Sequence, residues 1–188
     1  MKKIVTFSLL LCFLSLTTPA VSAHPSGVSC FLGSELLGYV VDCNNHQSSS
    51  TFNYNATGLD ATYLGYTTTG ASSWSGTVTI NSSFSILAQG YYSTYSDPDT
   101  STVAAFYDYS SNSSGHLTTW RIKNNKSKMD GRTASANNGT AAHELGHAIG
   151  LNDLYGSPNS GKLMYGYSTR TTTVPTSSDI TGATEATK

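Results

Sequence analysis

Ala141-Ala142-His143-Glu144-Leu145-Gly146-His147-Ala148-Ile149-Gly150-Leu151-Asn152-Asp153 is the stretch from which the rest of the chain is read. His143 and His147 are four residues apart. On a helix that spacing stacks both imidazoles on one face, one turn apart. Ala141 and Ala142 favour a helix, and Leu145, Ala148 and Ile149 give it an apolar side. Asn138-Gly139-Thr140 is read as its cap, with the helix running from about Ala141 to Ile149 and Gly150 as its stop. Two imidazoles so placed can each direct a ring nitrogen to one zinc ion. Glu144 points about 100° away around the helix. It is too displaced to be an equal ligand, but it can reach a water on the metal and act as its base.

The residues beyond the helix extend this pattern. Gly150 follows His147 by three positions, and Asp153 follows Gly150 by three. A glycine there can adopt a left-handed conformation and turn the chain sharply. The turn would bring Asp153 back as a third ligand and leave a fourth position for water, as catalytic zinc requires. The bare His-Glu-x-x-His pattern also occurs by chance, and the lesser reading of Asp153 is an ordinary loop carboxylate. The chain holds no other His-x-x-x-His.

His143-Glu144-x-x-His147-x-x-Gly150-x-x-Asp153 resembles the metzincin zinc signature. The usual third ligand of that clan is histidine; the aspartate variant resembles the snapalysin family of small secreted bacterial proteases. Ala141 to Leu151, Leu163-Met164-Tyr165 and Ser178-Asp179-Ile180-Thr181-Gly182 look more like matrixins. The resemblance is strong over Ala141 to Tyr165 and fades towards the C-terminus. It implies a zincin fold in which a cleft between two lobes holds one catalytic zinc and an extended peptide. Its site residues would be His143, His147 and Asp153 as ligands and Glu144 as general base. Met164, seventeen residues after His147, stands where these proteins carry a methionine turn beneath the metal. Some metzincins place a tyrosine two residues after that methionine; here the position is Gly166, between Tyr165 and Tyr167. The resemblance also suggests that a strand just upstream of the helix, Thr118 to Lys123, binds substrate by strand addition.

Working outward, Thr51–Asn55 and Thr77–Asn81 alternate apolar and polar residues as half-buried strands do. Thr102–Tyr109 and Leu117–Lys123 are two further strand candidates. Leu59 to Trp74 carries Leu59, Tyr63, Tyr66, Gly70 and Trp74 at helical spacings, and a last helix starts at Ser177 or Ser178. A mixed sheet, then a helix bearing the chemistry, then a short C-terminal lobe after Gly150 gives an α+β class.

The N-terminus reads as an export signal. Lys2 and Lys3 precede an apolar run from Ile4 to Leu16, and Val21-Ser22-Ala23 is a small-residue cleavage site. The run is too short to span a bilayer, which needs roughly 20 residues. Residues 1–23 are therefore assigned to the signal and 24–188 to one secreted domain. Residues 24–50 are either a short propeptide or an extension of the mature fold. Removing Lys2 and Lys3 from ten basic residues leaves eight against eleven acidic ones, a net of −3. That balance does not suggest nucleic acid as a partner, and no later segment is apolar enough for a membrane. Twelve Tyr, six Phe and two Trp argue against disorder.

Cys30 and Cys43 survive export as a pair, and a disulfide is expected. The alternative, a thiol blocking the metal, lacks its usual flanking residues. His24, His46 and His116 lack ligand-like spacing and are expected at the surface. Asp97-Pro98-Asp99 reads as a turn, with part of a calcium site as the other reading. Arg121, Lys123, Lys126, Lys128 and Arg132 place five of the eight mature basic residues within twelve positions. They read as a solvated edge strand and loop rather than a lure for acidic substrates.

The expectation is a secreted, monomeric zinc metalloendopeptidase acting on extended peptide or protein substrates. One rival is a non-catalytic exported module stabilised by metal. Another is a zinc amidase acting on cell-wall peptides. A structural zinc is usually closed by four protein ligands and has no need of Glu144 beside an open position.

Overall fold

The structure is a computed structural model describing residues 30–188. The segment read as an export signal, its expected cleavage site and His24 lie outside the described residues. A two-stranded hairpin, β1 (Gly33–Ser34) and β2 (Tyr39–Val40), precedes β3 (Thr51–Asn55) and α1 (Ala61–Ser72). Four strands follow: β4 (Thr79–Ser83), β5 (Gly90–Tyr95), β6 (Ala104–Ser111) and β7 (Leu117–Asn125). Then come the short α2 (Lys126–Met129), α3 (Ala134–Ile149), a 3-10 turn (Ser157–Asn159) and α4 (Ser177–Ala186). The class is α+β. The large sheet has the order β4-β3-β5-β7-β6, with β6 alone antiparallel to its neighbour.

Phe52, Tyr54, Tyr92, Trp120 and Ile122 of the sheet form one core with Leu145, Ala148 and Ile149 of α3. Burying side chains such as Leu145 and Ile149 stabilises the fold by roughly 1.5–3 kcal/mol each. Trp74, just beyond α1, donates its indole N–H to Ala142 O at 3.0 Å, locking α1 against α3.

Four expectations need correction. First, α3 begins at Ala134, not Ala141. Thr133 is the cap, its hydroxyl accepting from Ala136 N. Asn137, read as lying before the helix, is buried inside it and donates to Met129 O at 3.0 Å. Second, Gly90–Tyr95 is a strand with no assignment from sequence. It lies between β3 and β7, and Tyr and Ser crowd both faces, so no alternation marks it. Third, Thr118 to Lys123 is interior to the sheet, paired with β5 on one side and β6 on the other. The edge strands of the sheet are β4 and β6. Fourth, His46 and His116 are buried. Their rings meet edge to face at 4.9 Å, and His46 Nδ1 lies 2.8 Å from Ala186 O.

The basic cluster is mostly spent on the surface. Arg121 pairs with Asp108, Lys126 with Asp60, Lys123 sits over the Tyr95 and Tyr107 rings, and Lys128 donates to Pro98 O. Arg132 alone turns towards the cleft. Asp97 accepts from Asp99 N at 3.0 Å, an ordinary turn contact. No helix among the described residues is long and apolar enough to cross a membrane.

Cys30 and Cys43 form the expected disulfide, with Cα atoms 5.7 Å apart. The stapled segment is part of the fold: Asp42 N donates to Gly150 O, Asn152 N to Val40 O, and Tyr39 and Val41 enter the core. Cys43→Ser should lower stability by about 2–3 kcal/mol, the expectation for so short a loop. Urea unfolding under non-reducing conditions measures it; an unchanged midpoint refutes it.

Candidate metal centre

α3 carries two histidines one turn apart and delivers both to the cleft. His143 Nδ1–H donates to Leu163 O at 2.8 Å, and His147 Nδ1–H donates to Leu151 O at 2.7 Å. A carbonyl can only accept, so each Nδ1 must carry the proton. Each Nε2 is then free to present a lone pair towards the cleft.

Gly150 closes the helix at φ 122°, a conformation an L-residue rarely adopts, and the chain doubles back. The turn brings Asp153 Oδ1 to 3.1 Å from His143 Nε2 and 3.6 Å from His147 Nε2. The three ligand atoms lie within 4.8 Å of one another. They are the one group of three or more His, Cys, Asp or Glu side chains among the described residues so arranged.

This geometry fits a cation. Asp153 Oδ1 is buried and has no hydrogen-bond donor. A proton on His143 Nε2 would bridge one contact but leave His147 facing the same oxygen, lone pair to lone pair. Burial, and then the neighbouring His143, push the His147 pKa down, which keeps that imidazole neutral. Burial acts to raise the Asp153 pKa, but the close approach of the His143 and His147 rings and the Tyr155 hydroxyl outweigh it and hold it at about 2. The set is thus an anionic oxygen and two imidazole nitrogens converging on one point, and it is able to hold a metal ion.

Three side chains orient these groups. Tyr155 donates its hydroxyl to Asp153 Oδ2 at 3.0 Å. Glu35, from the hairpin, accepts Tyr155 N at 2.8 Å and Gly156 N at 2.7 Å. Those two backbone N–H groups hold its own pKa down. Buried Asp179 accepts Leu163 N at 3.0 Å and Met164 N at 3.2 Å, fixing the carbonyl that orients His143. Met164 packs against α3 at Gly146, between the two histidines in sequence: a Cβ there would stand 2.3 Å from its sulfur and force the buried side chain to move. Gly166 likewise leaves room for Tyr155 and Asp153. The phenol that reaches the centre therefore comes from Tyr155, while Tyr165 is buried and Tyr167 is exposed.

Neither Tyr155 nor Glu35 stood out in the sequence. Tyr155 sits two residues from Asp153, which is a usable signal. Glu35 is 120 residues from its partner and offered none.

Glu144 is buried beside the three ligand atoms but is not among them. Burial raises its pKa; His147 and Arg170 act to lower it, Asp153 to raise it, and the Phe106 N–H of β6 to lower it. A carboxyl with a raised pKa suits proton transfer near neutral pH. The shift also predicts a stability effect. With the folded pKa raised, stability present below the ordinary value of 4.5 is lost as pH rises through the folded pKa. Glu144→Gln should therefore stabilise the metal-free chain at neutral pH and have no such effect in acid. Denaturant unfolding of both proteins in chelator, from about pH 3.5 to about 7.5, tests the sign. A gain that is largest in acid would refute it.

A cleft of about 400 Å³ opens over the centre, lined by Ala104, Phe106, Asn152 and the four site residues. A second cavity of about 350 Å³ adjoins it on the Glu144 side, reached by Arg132, Thr140 and Arg170. Compared with protein-family models and with curated proteins, the chain matches none.

Proposed function

We propose that the chain is a secreted zinc-dependent endopeptidase. The observation that carries the reading is the set of three converging acceptors, His143, His147 and Asp153, with buried Glu144 next to it but outside it. Three protein ligands and an adjacent carboxyl of raised pKa are what a hydrolytic centre needs; a structural zinc would be closed by a fourth ligand. Two imidazoles and one carboxylate suit zinc in particular. The metzincin-like spacing of the same residues points the same way.

A bound zinc ion would supply Lewis acidity and lower the pKa of a water in the cleft. The chain's own residues do the rest. Glu144 takes a proton from the attacking water and hands it to the leaving amine. The outer edge of β6 has no strand partner among the described residues. An extended peptide can pair with it and so present an internal bond to Glu144. Phe106, on that same strand, lines the cleft together with Glu144, so the base lies beside the substrate-bearing edge. The disulfide and the N-terminal signal pattern support export.

The test is incubation of purified protein with an unfolded protein substrate, with zinc and with chelator, followed by mass mapping of the products. Internal cuts that vanish in chelator and return with zinc are expected. Cuts that persist in chelator, or none with zinc present, overturn the reading.

A further inference from the structure

The cavity on the Glu144 side holds more positive charge than the fold uses. Arg132 donates to Thr140 Oγ1 at 3.0 Å and to Ala136 O at 3.4 Å. Arg170 donates to the same Thr140 oxygen at 3.3 Å. Each guanidinium has five N–H donors, so most of both remain uncommitted among the described residues. Neither has a carboxylate within ion-pair distance there; the close carboxylate contacts of the cleft are those of Asp153 with the two histidines. Both side chains are half-buried. Two cations drawn to one hydroxyl repel each other, and burial adds to the cost. Glu144 is the nearby negative charge and leaves an excess of one positive charge.

We propose that this cavity is a subsite for a carboxylate side chain, and that the chain cleaves on the N-terminal side of glutamate or aspartate. This rests on the peptidase reading and narrows it to a substrate class. The side of the scissile bond follows from position. The cavity is lined by Glu144 and His143 but not by His147 or Asp153. Glu144 passes its proton to the leaving amine, so the residue bearing that amine sits on the Glu144 side of the centre. Its side chain then faces Arg132 and Arg170, and about 350 Å³ accommodates a glutamate. Arginine suits a carboxylate because its donors form a planar fork that can bind both oxygens.

The experiment uses doubly blocked peptides that differ only in the residue after the scissile bond. With the zinc-loaded chain, kcat/KM for the Glu peptide should exceed that for Gln roughly ten- to hundredfold, the range for hydrogen bonds to a charged group. Arg132→Gln and Arg170→Gln should each bring the ratio towards one, and Arg132→Glu should favour a Lys peptide. Taking the ratio within each variant cancels any loss of folded protein. A Glu to Gln ratio of one in the parent overturns the proposal. So does a preference for a free C-terminal carboxylate over its amide that matches the preference for Glu, since that assigns the cavity to the chain end. A second arm measures fluorescent-peptide anisotropy with metal-free protein, which cannot turn over. Tighter binding of Glu than Gln, lost in Arg132→Gln, is expected. If no peptide is cleaved but this difference is present, the peptidase reading fails and the carboxylate site stands. If peptides are cleaved and the difference is absent, the carboxylate site alone fails.

Discussion

Glu144→Ala should keep its metal and lose peptide hydrolysis by roughly 10²–10⁴-fold, the range that general acid–base assistance contributes. The separation of the two properties is the point. Glu144 stands beside the converging acceptors and coordinates nothing in that group, so its removal leaves all three in place. It is the one buried carboxyl of raised pKa facing the cleft among the described residues, and no neighbour can substitute for it. Zinc titration against a chromophoric chelator, run beside a cleavage assay, gives both numbers on one preparation. Cleavage at the parent rate would remove Glu144 from its assigned role. Loss of metal in step with activity would make it a ligand instead.

Asp153→Ala should lower zinc affinity by more than about 100-fold, exceeding the 10- to 100-fold typical of residues that merely orient ligands. His143 and His147 would remain as the only protein ligands, and a catalytic site usually has three. Tyr155→Phe is the internal comparison. It removes only the hydroxyl that donates to Asp153 Oδ2, so its loss should fall near tenfold. Asp153→His should recover part of the affinity if the loop shifts to accept the larger ring. A carboxylate also adds negative charge, so zinc held by this set should be a weaker Lewis acid than with three histidines. Parent-like affinity in Asp153→Ala would mean that another group completes the centre. His116 is a poor candidate, since it packs against His46 rather than in the cluster.

The features legible in sequence were the local ones. The four-residue spacing of His143 and His147, the turn at Gly150 and the return of Asp153 all lie within eleven residues, where helical geometry leaves few choices. The Cys30–Cys43 pairing was legible for a similar reason. What was missed depended on contacts distant in sequence. β5 shows no alternation because it is central and buried among aromatic residues. The true start of α3 was hidden because Asn138-Gly139-Thr140 looks like a cap, whereas Thr140 bonds Ala136 O within the helix and Asn137 reaches across to Met129 O of α2. Strand order is not a property of any one strand, so β7 could not be told from an edge until β6 was seen to pair outside it. His46 and His116 look solvent-loving singly; each is buried because it covers the other.

The Glu35 contact bears on when the centre can assemble. The two histidines lie on one turn of helix and need only local structure. Asp153 sits in a loop whose backbone is held by a carboxylate 120 and 121 residues away in the chain, inside the disulfide loop. Contacts between such distant segments form late, because closing a long stretch of chain is entropically slow. High-affinity metal capture is then a sign of completed folding, and a nascent or truncated chain that has formed only α3 should hold zinc no better than a peptide with two histidines.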